Sequence, residues 1–130
     1  MAGVIGRHNG KVLVLEDDHA LIQLFKAILQ QAGFEFQSAT SAECAQTLLS
    51  KQHFDVLVSD LSVTGGVKVF DLVKSVRLQH PEIAVLIVTG FTPEEIASEV
   101  ATQNIDLLEK PFSPPELVSR VKSLMNAKAA

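Results

Sequence analysis

Four short stretches carry residues that could do chemistry together. Glu16-Asp17-Asp18, Asp60, Thr89-Gly90 and Glu109-Lys110-Pro111 each follow an apolar run. Crowded carboxylates repel one another unless a cation neutralises them. They are hard oxygen ligands suited to Mg²⁺. With the Lys110 ammonium, such a cation would supply positive charge where a phosphoryl group brings negative charge. Asp60 could then act as a carboxylate nucleophile and form an acyl phosphate. Thr89 offers a hydroxyl donor to a phosphoryl oxygen, and Gly90 has no side chain to obstruct the incoming group. Phosphoryl transfer asks a protein chiefly to position groups and stabilise charge, which suits this set. Each stretch also has a plainer reading. An acidic run after a strand is often a helix N-cap. Asp60 could be a turn residue, Thr89 loop chemistry and Lys110 a solvated cation. The weight lies in their recurrence at the ends of successive apolar runs.

Those runs must position them. Five β-rich segments, Lys11–Leu15, Phe34–Ser38, Val56–Ser59, Ala84–Val88 and Ile105–Leu108, alternate with five helical patterns. Several are almost wholly apolar, as strands covered on both faces are. The first helical pattern carries Leu21, Leu24, Phe25, Ile28, Leu29 and Ala32, with Gly33 as its stop. The second carries Cys44, Ala45, Leu48 and Leu49, with a capping-box spacing at Thr40 and Glu43. The third has Val69, Phe70, Val73 and Val76 on one side and ends near His80-Pro81. The fourth opens on Thr92-Pro93-Glu94-Glu95 and places Ile96, Ala97 and Val100 inward. The fifth opens on Ser113-Pro114-Pro115-Glu116, another capping box, and places Leu117, Val121, Leu124 and Met125 inward. Strict (βα) alternation, five times over, implies parallel strands and right-handed crossovers, hence an open, doubly wound α/β sheet. In such a sheet ligands bind outside the carboxyl ends of the strands, at the topological switch point. The four polar stretches fall at those ends.

The bulk properties set bounds. One domain suits 130 residues, and 47% hydrophobic residues suffice for a core that must be filled without Trp or Tyr. We take Met1–Gly10 as a flexible leader, 11–126 as the domain and 127–130 as a tail. The net charge of −4, with dispersed Lys and Arg, argues against direct nucleic-acid binding. No run is apolar enough for long enough to cross a bilayer, and the start does not read as a signal peptide. The single cysteine, Cys44, suits a reducing, cytoplasmic setting and is expected to be a buried structural thiol. His19 is expected to be an exposed first-turn residue, and His53 and His80 to lie at helix ends. None of the four histidines has zinc-site spacing. The glycines form no dinucleotide or P-loop fingerprint.

Taken in order, Val12-Leu13-Val14-Leu15-Glu16-Asp17-Asp18, Asp55-Val56-Leu57-Val58-Ser59-Asp60, Val88-Thr89-Gly90 and Glu109-Lys110-Pro111-Phe112 resemble the receiver domain of two-component signalling. The resemblance runs from about Lys11 to Met125 and implies the flavodoxin-like (βα)5 receiver fold. It also implies roles. Asp60 is the phosphoacceptor, and Glu16 and Asp17 are the acidic pair that holds Mg²⁺, with Asp17 the direct ligand. Ser62 supplies a backbone carbonyl to the metal. Thr89 is the switch hydroxyl and Lys110 the lysine that pairs with the phosphoryl group. The Lys110–Pro111 bond is expected to be cis. The implied partners are a sensor histidine kinase or a histidine phosphotransfer protein, with homodimerisation through the face of the fourth helix, fifth strand and fifth helix as a further option.

The chain departs from the family pattern in places. Thr64 stands where the loop after the phosphoacceptor usually has a Pro. The Gly that usually precedes the third helix is replaced by Val69 without a gap, or matched by Gly66 with one. These changes bear on the loop holding Ser62, and so on metal affinity. Leu107 stands where many receivers have Tyr or Phe, so an aromatic rotamer switch is unavailable. Glu16 replaces the commoner Asp. Phe91, two residues after Thr89, is placed to shield an acyl phosphate from water. The Glu109–Pro114 stretch and Gly65-Gly66 look most like receivers of hybrid sensor kinases. The resemblance implies a signalling domain that phosphorylates and slowly dephosphorylates itself, rather than a metabolic enzyme. The alternative is a pseudo-receiver, the same fold used as a phosphorylation-independent interaction module. An aspartyl phosphatase would need a second acid two residues after Asp60, where this chain has Ser62.

Overall fold

The computed structural model describes residues 10–61, 69–90 and 105–129, with side chains as far as Ala127. Five parallel strands form one sheet: β1 (Lys11–Leu15), β2 (Glu35–Ala39), β3 (Val56–Asp60), β4 (Ala84–Thr89) and β5 (Asp106–Glu109). Their order is β2-β1-β3-β4-β5. The helices are α1 (His19–Gln31), α2 (Ala42–Lys51), α3 (Val69–Gln79) and the C-terminal helix α4 (Pro114–Ala129). The expected α/β fold is thus present. The fourth helical pattern, from Thr92, lies outside the described residues, as do Ser62, Thr64, Gly65, Gly66 and Phe91.

Alternation along the strands sorts the core into two layers. Leu13, Leu15, Leu57, Val85 and Ile87 face α2 and α3, packing on Ala42, Ala45, Leu49, Leu72, Val73 and Val76. Val12, Val14, Val56, Val58, Leu86 and Val88 face the other way, onto Phe25, Ile28 and Leu29 of α1 and Leu117 and Val121 of α4. Both faces being covered accounts for the nearly continuous apolar strands. Among the described residues no helix is long and apolar enough to cross a membrane.

Strand and helix boundaries moved slightly from expectation. β2 starts at Glu35, one residue late, because Phe34 packs as a core residue at the turn from Gly33 (φ +92°). β5 starts at Asp106 rather than Ile105. The α2 cap is Ser41, not Thr40: the Ser41 hydroxyl accepts from the Cys44 N–H at 3.1 Å. Cys44 is exposed, against the expectation of a buried thiol. The buried stripe of α2 runs through Ala42, Ala45 and Leu49, and Cys44 lies off that face. In α1 the inward stripe is Ile22, Phe25, Ile28 and Leu29, leaving Leu24 45% exposed. In α3 Leu72 is buried, whereas Phe70 is only partly so.

The ends also differ. Gly10, expected within the leader, is buried, and its carbonyl accepts from Glu35 N–H at 2.9 Å. It adopts φ +146°, and a Cβ there would lie 2.3 Å from Met125 Cε and 3.2 Å from Asp55 Oδ2. Helix α4 continues to Ala129, into the stretch expected as a tail.

Candidate functional site

The chain passes from β1 outward to β2, then back to β3 on the other side of β1. The β1/β3 boundary is therefore the topological switch point. Leu15 pairs with Ser59, so Glu16 and Asp60 leave these neighbouring strands side by side. Asp60 pairs with Val88, and Thr89 with Glu109, which carries the same edge across to Lys110.

Each acid of the β1–α1 turn does something different. Asp18 is the N-cap of α1: its Oδ1 accepts from the backbone N–H groups of Ala20 at 2.8 Å and Leu21 at 3.3 Å. Glu16 is buried, 2% exposed, and its Oε2 accepts from the N–H groups of Asp17 and Asp18, both at 3.1 Å. Asp17 is exposed. Burial pushes the Glu16 carboxyl up to about 7; the Asp60 carboxylate beside it adds to the rise, while the Asp18 N–H and the Lys110 ammonium oppose it.

Asp60 is buried at the end of β3. Lys110 Nζ donates to its Oδ2 at 2.7 Å. The lysine lies just past β5, where its backbone N–H donates to the Thr89 carbonyl at 2.8 Å. The Lys110–Pro111 peptide is cis. Beyond it, Ser113 and Glu116 form the expected capping box: Ser113 N–H donates to Glu116 Oε1 at 2.9 Å, and Glu116 N–H to Ser113 Oγ at 3.3 Å. These bonds hold the Glu116 carboxyl below the usual range. Thr89 is 1% exposed at the end of β4. Gly90 is exposed, and a Cβ there would meet nothing within 4 Å among the described residues.

Glu16, Asp60 and Lys110 thus form one electrostatic group, with Thr89 tied to it through the Lys110 backbone. Asp17 shares the turn but not the burial, and Ser62 lies outside the described residues. One polar residue had no signal in the sequence: Ser59, whose buried hydroxyl donates to the Asp60 carbonyl at 3.0 Å. Its alternation with Leu57 marks it as inward-facing, but Ser at such a place is silent about its partner.

Among the described residues no three His, Cys, Asp or Glu side chains gather closely enough to hold a metal ion on their own. Mg²⁺ does not require that; it commonly keeps several waters and takes one or two carboxylates. Two carboxylates share this edge with the Lys110 ammonium, and the Asp60 charge adds to the rise in the Glu16 pKa that burial causes. The donor set therefore fits a hard divalent cation at the exposed Asp17 and the Asp60 edge.

Comparison with known proteins bears on the family and the fold. The chain matches the model of the response regulator receiver domain over residues 12–122. It is 32% identical to the alginate biosynthesis transcriptional regulatory protein AlgB of Pseudomonas putida over 85% of its own length and 25% of that protein's. It is 33% identical to the response regulator protein FleR of Pseudomonas aeruginosa, over 85% of this chain and 24% of that one. It therefore spans about a quarter of the length of these relatives. The chemotaxis protein CheY4 of Vibrio cholerae superposes with a TM-score of 0.81 at 30% identity, covering 88% of this chain and 97% of that chain. A receiver domain protein from Clostridium thermocellum shares the fold, with a TM-score of 0.84 at 23% identity over 92% and 96% of the two chains. With its strand-end acids and lysine set on that sheet, the chain belongs to the response regulator receiver domain family of two-component systems.

Proposed function

We propose that this domain is a cytoplasmic phosphorylation switch that accepts a phosphoryl group on Asp60 from the phosphohistidine of a sensor histidine kinase or a phosphotransfer protein. The observation that carries this reading is the 2.7 Å contact of Lys110 Nζ with Asp60 Oδ2 at the β1/β3 switch point, beside buried Glu16. A carboxylate oxygen of Asp60 attacks phosphorus as the P–N bond to the donor imidazole breaks. The imidazole leaves with the bonding pair, and an acyl phosphate remains. Lys110 holds the Asp60 carboxylate before transfer and offsets the phosphoryl charge after it. Thr89 offers its hydroxyl to a phosphoryl oxygen. Glu16, Asp17, Asp60 and the Ser62 carbonyl are the groups that would hold Mg²⁺. When bound, this ion neutralises the crowded carboxylates and the phosphoryl oxygens.

The product is a signalling state and not a released metabolite, so the domain acts as a switch that modifies itself rather than as an enzyme. Phosphorylation shifts the population toward a different surface. Leu107, half-buried against the α2–α3 side of the core, makes that shift a repacking of an aliphatic side chain. Borohydride trapping tests the chemistry. An acyl phosphate on Asp60 is reduced to homoserine at position 60, which peptide mass spectrometry locates. Reduction at another residue, or at none after treatment with a phosphohistidine donor, would contradict the assignment.

A further inference from the structure

Lys110 sits on a long flexible stem beyond the end of β5, yet its ammonium must reach one oxygen of Asp60. Three fixtures surround it. Its own N–H is bound to the Thr89 carbonyl, and the Ser113–Glu116 box pins the start of α4. Between them lies Phe112, whose ring stacks on that of Phe25 with centroids 5.6 Å apart and planes inclined by 27°. That is the range of favourable offset stacking. Phe25 is almost fully buried in α1, the helix that Asp18 caps directly after Glu16 and Asp17. The ring pair therefore ties the loop carrying the cation to the helix that begins at the acids.

We propose that Phe112, seated on Phe25, is a positioning residue that sets the reach of Lys110 to Asp60. The proposal rests on the reading of the site given under Proposed function. Without the ring, the Pro111–Ser113 segment loses its lateral support, and only the Lys110–Thr89 backbone bond and the Ser113–Glu116 box still hold the loop. Small displacements of a positioning group are costly in a transfer step that depends on fixed charge.

The test is a double-mutant cycle on the full chain. The Asp60–Lys110 coupling is measured by urea unfolding of Asp60→Asn, Lys110→Met and the double variant, first with Phe112 and then with Phe112→Leu. Coupling that falls by half or more in the Phe112→Leu background, and is kept with Phe112→Tyr, supports the proposal; unchanged coupling overturns it. Acetyl phosphate uptake at saturating Mg²⁺ is the second readout. Phe112→Leu is expected to slow it about 10-fold and to add nothing in a Lys110→Met background. Additive losses there would mean a general packing role and overturn the proposal. Should Phe112→Leu fail to fold, Phe112→Met takes its place under the same criteria. If the unaltered chain takes up no phosphoryl group, the functional reading fails, while the coupling cycle still decides the role of Phe112.

Discussion

Burial raises the Glu16 carboxyl, the neighbouring Asp60 carboxylate adds to the rise, and the shift has a measurable sign. The folded-state pKa of Glu16, about 7, lies above its ordinary value of 4.5. Between those values the folded chain keeps a proton that the unfolded chain has released. Stability from this group is therefore full below 4.5 and is lost as pH rises through 7. Glu16→Gln keeps an acceptor for the Asp17 and Asp18 N–H groups and removes the charge. Without divalent cations it should gain stability relative to the parent between pH 5 and pH 8, on the order of 2 kcal/mol, read by urea unfolding. A pH-independent difference would contradict the electrostatic account. Lys110→Ala should lower the rate of phosphoryl uptake by roughly 10- to 100-fold, measured with acetyl phosphate, because it removes a fixed charge at the point where negative charge accumulates. Asp60, Thr89 and Lys110 were legible because each ends an apolar run. The division of labour among Glu16, Asp17 and Asp18 was not, since one acidic run can supply a cap, a buried carboxyl and an exposed one at once, and only the turn geometry separates them.

Local signals decided most of the elements. Ser113 and Glu116 satisfy each other's N–H groups as their spacing predicts, and Ser113→Ala should cost about 1 kcal/mol in unfolding experiments. The same reasoning misplaced the α2 cap by one residue, because Thr40 and Ser41 are both competent caps and the hydroxyl that meets the Cys44 N–H is that of Ser41. It also placed Cys44 and Leu24 inward, because a run of small and apolar residues on a short helix permits more than one stripe. Gly10 had no signal at all. Its φ of +146° and its closeness to Met125 belong to the packing of α4 on the start of β1. Gly10→Ala should destabilise by about 1–2 kcal/mol, mostly from backbone strain, since the Met125 side chain can move aside.

Across the molecule, the strand order β2-β1-β3-β4-β5 turns separated stretches of sequence into one edge. Alternating (βα) units imply parallel strands but do not state their order; the structure sets β1 beside β3, pairing Leu15 with Ser59. That edge is where a divalent cation should link to folding. A cation that binds only the folded chain should raise the melting temperature increasingly with its free concentration, more at pH 8 than at pH 6, because protonated Glu16 competes with it. Asp60→Ala should remove most of that gain. The most direct test of the central claim is the intact mass of the chain after incubation with acetyl phosphate and Mg²⁺. The account predicts a gain of one phosphoryl group, about 80 Da, absent in Asp60→Ala and absent without Mg²⁺. A chain that binds no Mg²⁺ and gains no mass, or an equal gain in Asp60→Ala, would contradict it.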